Sequence, residues 1–262
     1  MGSLTDAGEK LILDHLLKTL EYAPSPEVFL LLSSTDPLDD GSGITEPIGG
    51  SYSRTPISFA SAVGRSITQS ANVVFPIPTA PWGTMNYFAI ADNVVAGNIL
   101  AYGSLGASKD IITDNSVIVV AGDVTLTMLP GGMCSEYVRR TFNWMFRDIA
   151  MAQPTNLYIA LTSAAIIDDD TGVSIIDLIM TGYIRQLNNT WTPAVGALAS
   201  SDNDVAIIFP SLTDVPETIL GTAVVDHETD GEILFYSNAI NAPVAVGNAP
   251  TFPIGDFNIT LD

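Results

Sequence analysis

Two stretches of the chain space their apolar residues as one face of a helix would. In Leu4 to Tyr22 these are Leu4, Ala7, Leu11, Leu16 and Leu20; in Ser135 to Ala152 they are Val138, Phe142, Met145, Phe146 and Ile149. Each stretch runs into a proline-bearing turn, at Pro24 and Pro26 or at Pro154, and then into an apolar strand, Val28 to Leu32 or Leu157 to Leu161. The later segments of both halves are short and rich in Val, Ile, Phe, Tyr and Thr. Turn residues separate them about every 8 to 12 positions, which predicts antiparallel strands of a sandwich or barrel. The run Asp114 to Asp123, followed by Val124 to Met128, predicts a closing hairpin that turns at Ala121-Gly122-Asp123.

The halves also match in order. Tyr52-Ser53-Arg54 answers Tyr183-Ile184-Arg185, Ala62-Val63-Gly64 answers Ala194-Val195-Gly196, and Val73-Val74-Phe75-Pro76 answers Ile207-Ile208-Phe209-Pro210. Ile99-Leu100-Ala101-Tyr102 answers Ile233-Leu234-Phe235-Tyr236, and Gly122-Asp123 answers Gly255-Asp256. An ordered series of this kind, drifting only by short insertions, is the mark of a tandem duplication. The expected fold is mainly β (α+β), with two tandem pseudo-repeats. Each is an N-terminal helix plus an antiparallel β-sandwich or barrel-like sheet, over 1–130 and 131–262, with the boundary at Leu129-Pro130-Gly131-Gly132.

Charge narrows the function. Twenty-nine Asp and Glu oppose nine Lys and Arg, a net charge of −20, and the acidic excess is shared: residues 1–132 carry 13 acidic and 5 basic, the rest 16 and 4. Neither half can build the basic stripe that nucleic acid or an anionic membrane requires, so neither is an expected partner. Charged residues are 15% of the chain, below the roughly 25% of an average domain, and mean hydropathy is +0.34. Part of such a surface is expected to be covered by neighbours. No apolar run approaches the roughly 18 residues of a spanning helix, and synthesis in a cytoplasm is the expectation.

Candidate chemistry is sparse. One cysteine, Cys134, permits no internal disulfide, and His15 and His227 are read as a helix-surface and a loop or strand-end histidine. The acidic loops Asp36, Asp39, Asp40 and Asp168, Asp169, Asp170 offer oxygen ligands but lack the spacing of calcium loops, so solvated carboxylates are the plainer reading. Carboxylate pairs for glycoside hydrolysis are too easily found among so many acids to mark a site. Trp144 falls on the apolar side of its helix, and Trp82 and Trp191 occupy non-equivalent places. No catalytic, cofactor-binding or metal residue is assigned, and no cofactor is expected. The feature singled out is Tyr52 with Arg54 and Tyr183 with Arg185, an interface or structural pair kept in both halves, whose alternate positions on a strand would let ring and guanidinium stack or share a carboxylate.

The first half resembles a family of small tail-fibre-like structural proteins of tailed bacteriophages. The residues that carry this are Leu4-Thr5-Asp6-Ala7-Gly8, Val28 to Leu32 with Thr35-Asp36-Pro37, Gly49-Gly50-Ser51-Tyr52-Ser53-Arg54, Ala80-Pro81-Trp82-Gly83-Thr84 and Gly122-Asp123-Val124-Thr125-Leu126. The second half keeps Tyr183 with Arg185 and Phe209-Pro210 but lacks the Gly-Gly and Trp-Gly-Thr elements. The resemblance implies a non-enzymatic virion component, and the acidic charge, which would repel packaged DNA, makes the particle exterior, at the tail, neck or collar, the expected place. Its partners would be itself, as a homo-oligomer with a trimer among the options, and other virion proteins. A capsid decoration or cement protein and a host-glycan-binding adhesin are the alternatives.

Overall fold

The apolar pattern condenses into short strands and two helices in a computed structural model that describes residues 2–179, 181–214 and 216–261. The first unit runs β1 (Gly2–Leu4), α1 (Asp6–Leu16), β2 (Val28–Ser33), β3 (Thr55–Ile57), β4 (Ser66–Thr68), β5 (Val73–Val74), β6 (Gly83–Ala91), β7 (Ile99–Ile111), β8 (Ile118–Val119) and β9 (Thr125–Thr127). The second runs α2 (Ser135–Arg147), β10 (Tyr158–Thr162), β11 (Gln186–Leu187), β12 (Ala199–Asp202), β13 (Ile207–Ile208), β14 (Glu217–Ile219), β15 (Gly221–Val225), β16 (Ile233–Ser237), β17 (Ala242–Val244), β18 (Thr251–Phe252) and β19 (Asn258–Leu261). The protein is mainly β, with a sheet curled into a half-barrel, and its repeat is tandem.

Both helices are shorter than their apolar spacing predicts. Leu4 is drawn into β1, where it pairs with Ala101, and α1 starts after Thr5, whose hydroxyl accepts the Gly8 amide at 3.2 Å. At the other end Lys18 turns left-handed (φ 65°), and the amides of Thr19 and Leu20 both fold back on the Asp14 carbonyl. α2 stops in the same way, with Asp148 left-handed at φ 52°.

In the first unit one sheet runs in the order β3-β2-β6-β7-β1-β9-β4. The second unit keeps β11-β10-β15-β16 and, separately, the β12-β19 pair. The registers coincide: Leu32 lies opposite Phe88 and Phe88 opposite Gly103, as Leu161 lies opposite Thr222 and Thr222 opposite Ser237. The difference is β1, which joins β7 to β9 in the first unit. Its counterpart, Gly131 to Met133, forms no strand and meets β16 through the Met133–Phe235 bridge and a bond from the Tyr236 amide to the Gly132 carbonyl. The expected closing hairpin does not form. The chain does turn at Gly122 (φ 93°), but β8 pairs with β5 while β9 pairs with β4, so the strands flanking the turn belong to different ribbons.

A single core of buried side chains runs through both units, from Leu13, Leu30, Phe75 and Phe88 to Phe142, Leu161, Phe209 and Ile259. Each such aliphatic or aromatic residue contributes roughly 1.5–3 kcal/mol by burial. Each helix lies between the two units: α1 packs on β7 and β1 of its own unit and on β12 of the second, and α2 on β16 of its own unit and on β4 of the first.

Candidate functional site

Tyr52 and Arg54 lie in the extended segment that enters β3, and Tyr183 and Arg185 in the segment that enters β11, rather than on the strands themselves. Ring and guanidinium do not stack on each other; they converge on one carboxylate. The Tyr52 hydroxyl donates to Glu46 Oε2 at 2.9 Å and accepts the Leu32 amide at 3.1 Å. Arg54 Nη2 reaches Glu46 Oε1 at 2.7 Å, and its Nη1 donates to the carbonyls of Ala96 (2.6 Å) and Asn93 (3.1 Å) in the turn between β6 and β7.

The second unit repeats this set atom for atom. Tyr183 accepts the Leu161 amide at 2.8 Å and donates to Asp177 Oδ1 at 3.2 Å, and Arg185 meets Asp177 Oδ2 at 3.0 Å. Arg185 Nη1 holds the carbonyls of Asp230 and His227 in the turn between β15 and β16. Tyr52 stacks on Phe75 and Tyr183 on Phe209, with ring centroids 6.3 and 6.1 Å apart. Burial first, and then the adjacent carboxylate, raises both phenols well above their ordinary range, so each stays a protonated donor. The turns they grip need glycine at their ends: Gly97 and Gly231 are left-handed, and a side-chain carbon there would collide with the Asp92 or Asp226 carboxylate that caps the turn.

The sequence reading found the tyrosines and arginines but not Glu46 and Asp177. The signal was present, because these acids stand at the same separation between halves as the Tyr-x-Arg pairs.

The two acidic loops cover the outer face of the sheet. Ile44 packs with Leu31, Ala89 and Ala91, and Ile175 with Ala160, Ala223 and Val225. Their carbonyls cap the helices: Asp39 accepts the Asp6 amide and Asp168 the Ser135 amide. The carboxylates turn to local donors, Asp36 to the Leu38 amide, Asp40 to the Ser42 amide, Asp170 to the Ile167 amide and Asp169 to the Ser135 hydroxyl. Among the described residues no three or more His, Cys, Asp or Glu side chains converge on a common point.

Asp168 differs from its neighbours by pairing with Arg65 at 2.8 Å, across the units. Arg65 also donates to the carbonyls of Met128, Leu129 and Met133, clamping the connection between the halves. Sequence reading missed this role, since position 65 has no arginine counterpart in the second half to draw attention to it.

His15 is not on a helix surface. It is 3% exposed, packed at a tilt of 32° against Trp144 with centroids 4.3 Å apart, and its Nε2 lies 3.0 Å from the Met151 carbonyl. His227, by contrast, sits in the exposed β15–β16 turn beside Asp230. In the repeat His15 and Trp144 are equivalent positions, so the two meet across a pseudo-twofold axis. The same symmetry relates two further bonds: Asn143 Oδ1 accepts the Ala62 amide at 3.0 Å, and Asp14 Oδ1 accepts the Ala194 amide at 2.8 Å.

Trp82, Trp144 and Trp191 are all buried, and the indole N–H groups of Trp82 and Trp191 are spent on the Gly50 and Asn188 carbonyls. None of the three offers a platform for a sugar. Cys134 caps α2 from inside the core, and burial, opposed by the Glu136 amide, pushes its thiol up to about 11. That keeps the thiolate scarce and the sulfur unreactive.

No curated protein matches the chain. A family model does, twice and in tandem, over residues 3–127 and 133–260, and its description is podophage GP4 fiber I protein gp80. The two matched segments each hold one Tyr-x-Arg clasp and one helix, and together they cover nearly the whole sequence: the chain belongs to the family of the podophage fibre I protein gp80.

Proposed function

We propose that this phage structural protein is a non-enzymatic component of the particle exterior, at the tail, neck or collar, and that it assembles there as a homo-oligomer against other virion proteins. The observation that carries the reading is a set of large apolar side chains exposed at equivalent places in both units. Leu20 and Ile149, Leu38 and Ile167, Ile48 and Ile179, Val63 and Val195, and Val74 and Ile208 all face solvent. Single exposed apolar residues are ordinary, but five pairs kept at matching positions in diverged halves mark surfaces that a neighbour covers.

Charge specifies the neighbour. Five of the six arginines are already paired with carboxylates of this chain, so the remaining acids present an anionic exterior to a partner that brings the cations. In this reading the Tyr52–Arg54–Glu46 and Tyr183–Arg185–Asp177 clasps are framework that fixes the hairpin turns.

Labelling intact particles with an antibody against the chain, read by electron microscopy, tests the placement. Label at the tail or neck is the expected result. Label spread over the head would replace this reading with a capsid cement, and particles without label would overturn the virion assignment.

A further inference from the structure

The second unit contains a cleft of about 420 Å³ between β15, β16 and β19; in the first unit the equivalent residues line two separate spaces, one of about 220 Å³ at Phe88, Val119 and Val124 and one of about 520 Å³ at Ser3, Tyr102 and Thr127. Val224, Phe235, Phe252, Phe257 and Ile259 supply the apolar lining of the cleft beside neutral polar residues such as Thr222 and Asn258, and Asp256 is the single charged residue among the described lining. The repeat explains why the space is continuous in one unit and divided in the other. Phe88 of the first unit points into this space: a side-chain carbon at Gly2 would meet Phe88 Cζ at 3.1 Å and Leu126 Cδ2 at 2.9 Å. The equivalent of Phe88 is Thr222, and a side-chain carbon at Gly131, which aligns with Gly2 but is not strand-paired as Gly2 is, would meet nothing within 4 Å. Phe252 and Phe257 replace Val119 and Val124 on the opposite wall but do not refill the gap.

We propose that this cleft is a receptor for an uncharged aromatic side chain, phenylalanine or tyrosine, carried by a partner virion protein. The duplicated half shows the occupant: the benzyl group that Phe88 supplies from within is here left to come from outside. Pockets of a few hundred Å³ that combine apolar walls with a few polar groups are the usual seats for such anchors. The one carboxylate at the rim, within a strongly acidic chain, disfavours anionic ligands. Only the source of the ring rests on the assembly reading; the affinity for a ring does not.

The test therefore has two arms. Toluene and p-cresol are titrated into the isolated full-length chain with methyl NMR as the readout, against the Thr222→Phe and Thr222→Leu variants. Saturable shifts confined to Val224, Ile240 and Ile259, weakened at least about tenfold in T222F and accompanied by a higher melting temperature of that variant, are expected. No saturable binding, or equal binding by wild type and both variants, would overturn the proposal. In the second arm T222F competes with wild type for incorporation into particles. Reduced incorporation is expected, and equal incorporation by a variant that no longer binds toluene would show that the ring does not come from a virion partner, while the particle labelling stands or fails separately.

Discussion

His15 has both ring nitrogens occupied in its neutral form: Nε2–H donates to Met151, and Nδ1 faces the Tyr22 amide at 3.5 Å. Protonating Nδ1 would lose that acceptor and place a cation in the core. Burial, against the opposing pull of the Met151 carbonyl and Glu21, holds its pKa below 6.5. Since the unfolded chain then takes up the proton first, stability is greater at a pH above 6.5 than at one below it. Urea midpoints at the two pH values should differ more for wild type than for His15→Phe, which keeps the Trp144 contact and cannot titrate; equal differences would refute this. Arg185 offers a second test. Its side chain is 2% exposed, and Arg185→Met strands Asp177 and the turn carbonyls, so a loss of about 3 kcal/mol is expected. Arg54→Met, at a more open clasp, should cost less in the same urea titration.

At the level of elements, strands were legible where a run of apolar residues is covered on both faces, as in Val28 to Leu32, whose observed strand differs by one residue. Tyr52, Arg54, Tyr183 and Arg185 stood out because repetition is visible without a structure. What the sequence did not show was which strand meets which. Ile118 and Thr125 flank one turn, yet their partners, Val74 and Thr68, come from separate ribbons, and local pattern carries no record of a partner some fifty residues away. The placement of the helices between the units was equally hidden: nothing in Ile12, Leu13 or Leu16 says that α1 covers strands of both units. The polar bonds that join each helix to the opposite unit are open to mutation. Asn143→Ala leaves the Ala62 amide without its acceptor and Asp14→Ala does the same to Ala194, and each should cost about 1–3 kcal/mol in equilibrium unfolding.

For the whole molecule, a core shared by two units makes their unfolding one event. Calorimetry is expected to show a single transition whose calorimetric and van't Hoff enthalpies agree, and two resolved peaks would contradict the shared core. The charge of −20 acts on the same equilibrium. Raising salt from 0.01 to 0.15 M shortens the screening length from about 30 to about 8 Å, which quiets the repulsion among unpaired acids more than it weakens the half-buried arginine pairs. The melting temperature should rise with salt, and a fall would mean that the ion pairs dominate.

The connection that Arg65 holds, from Met128 to Met133, is only a few residues long, yet it sets the order of the assembly reaction. Were the two halves separate chains, the seam that both helices fill would form by a bimolecular association that weakens on dilution. Tethered, each half meets its counterpart at an effective concentration in the millimolar range or above, whatever the number of molecules nearby. The chain thereby keeps its fold at any dilution, without needing a reservoir of free subunits.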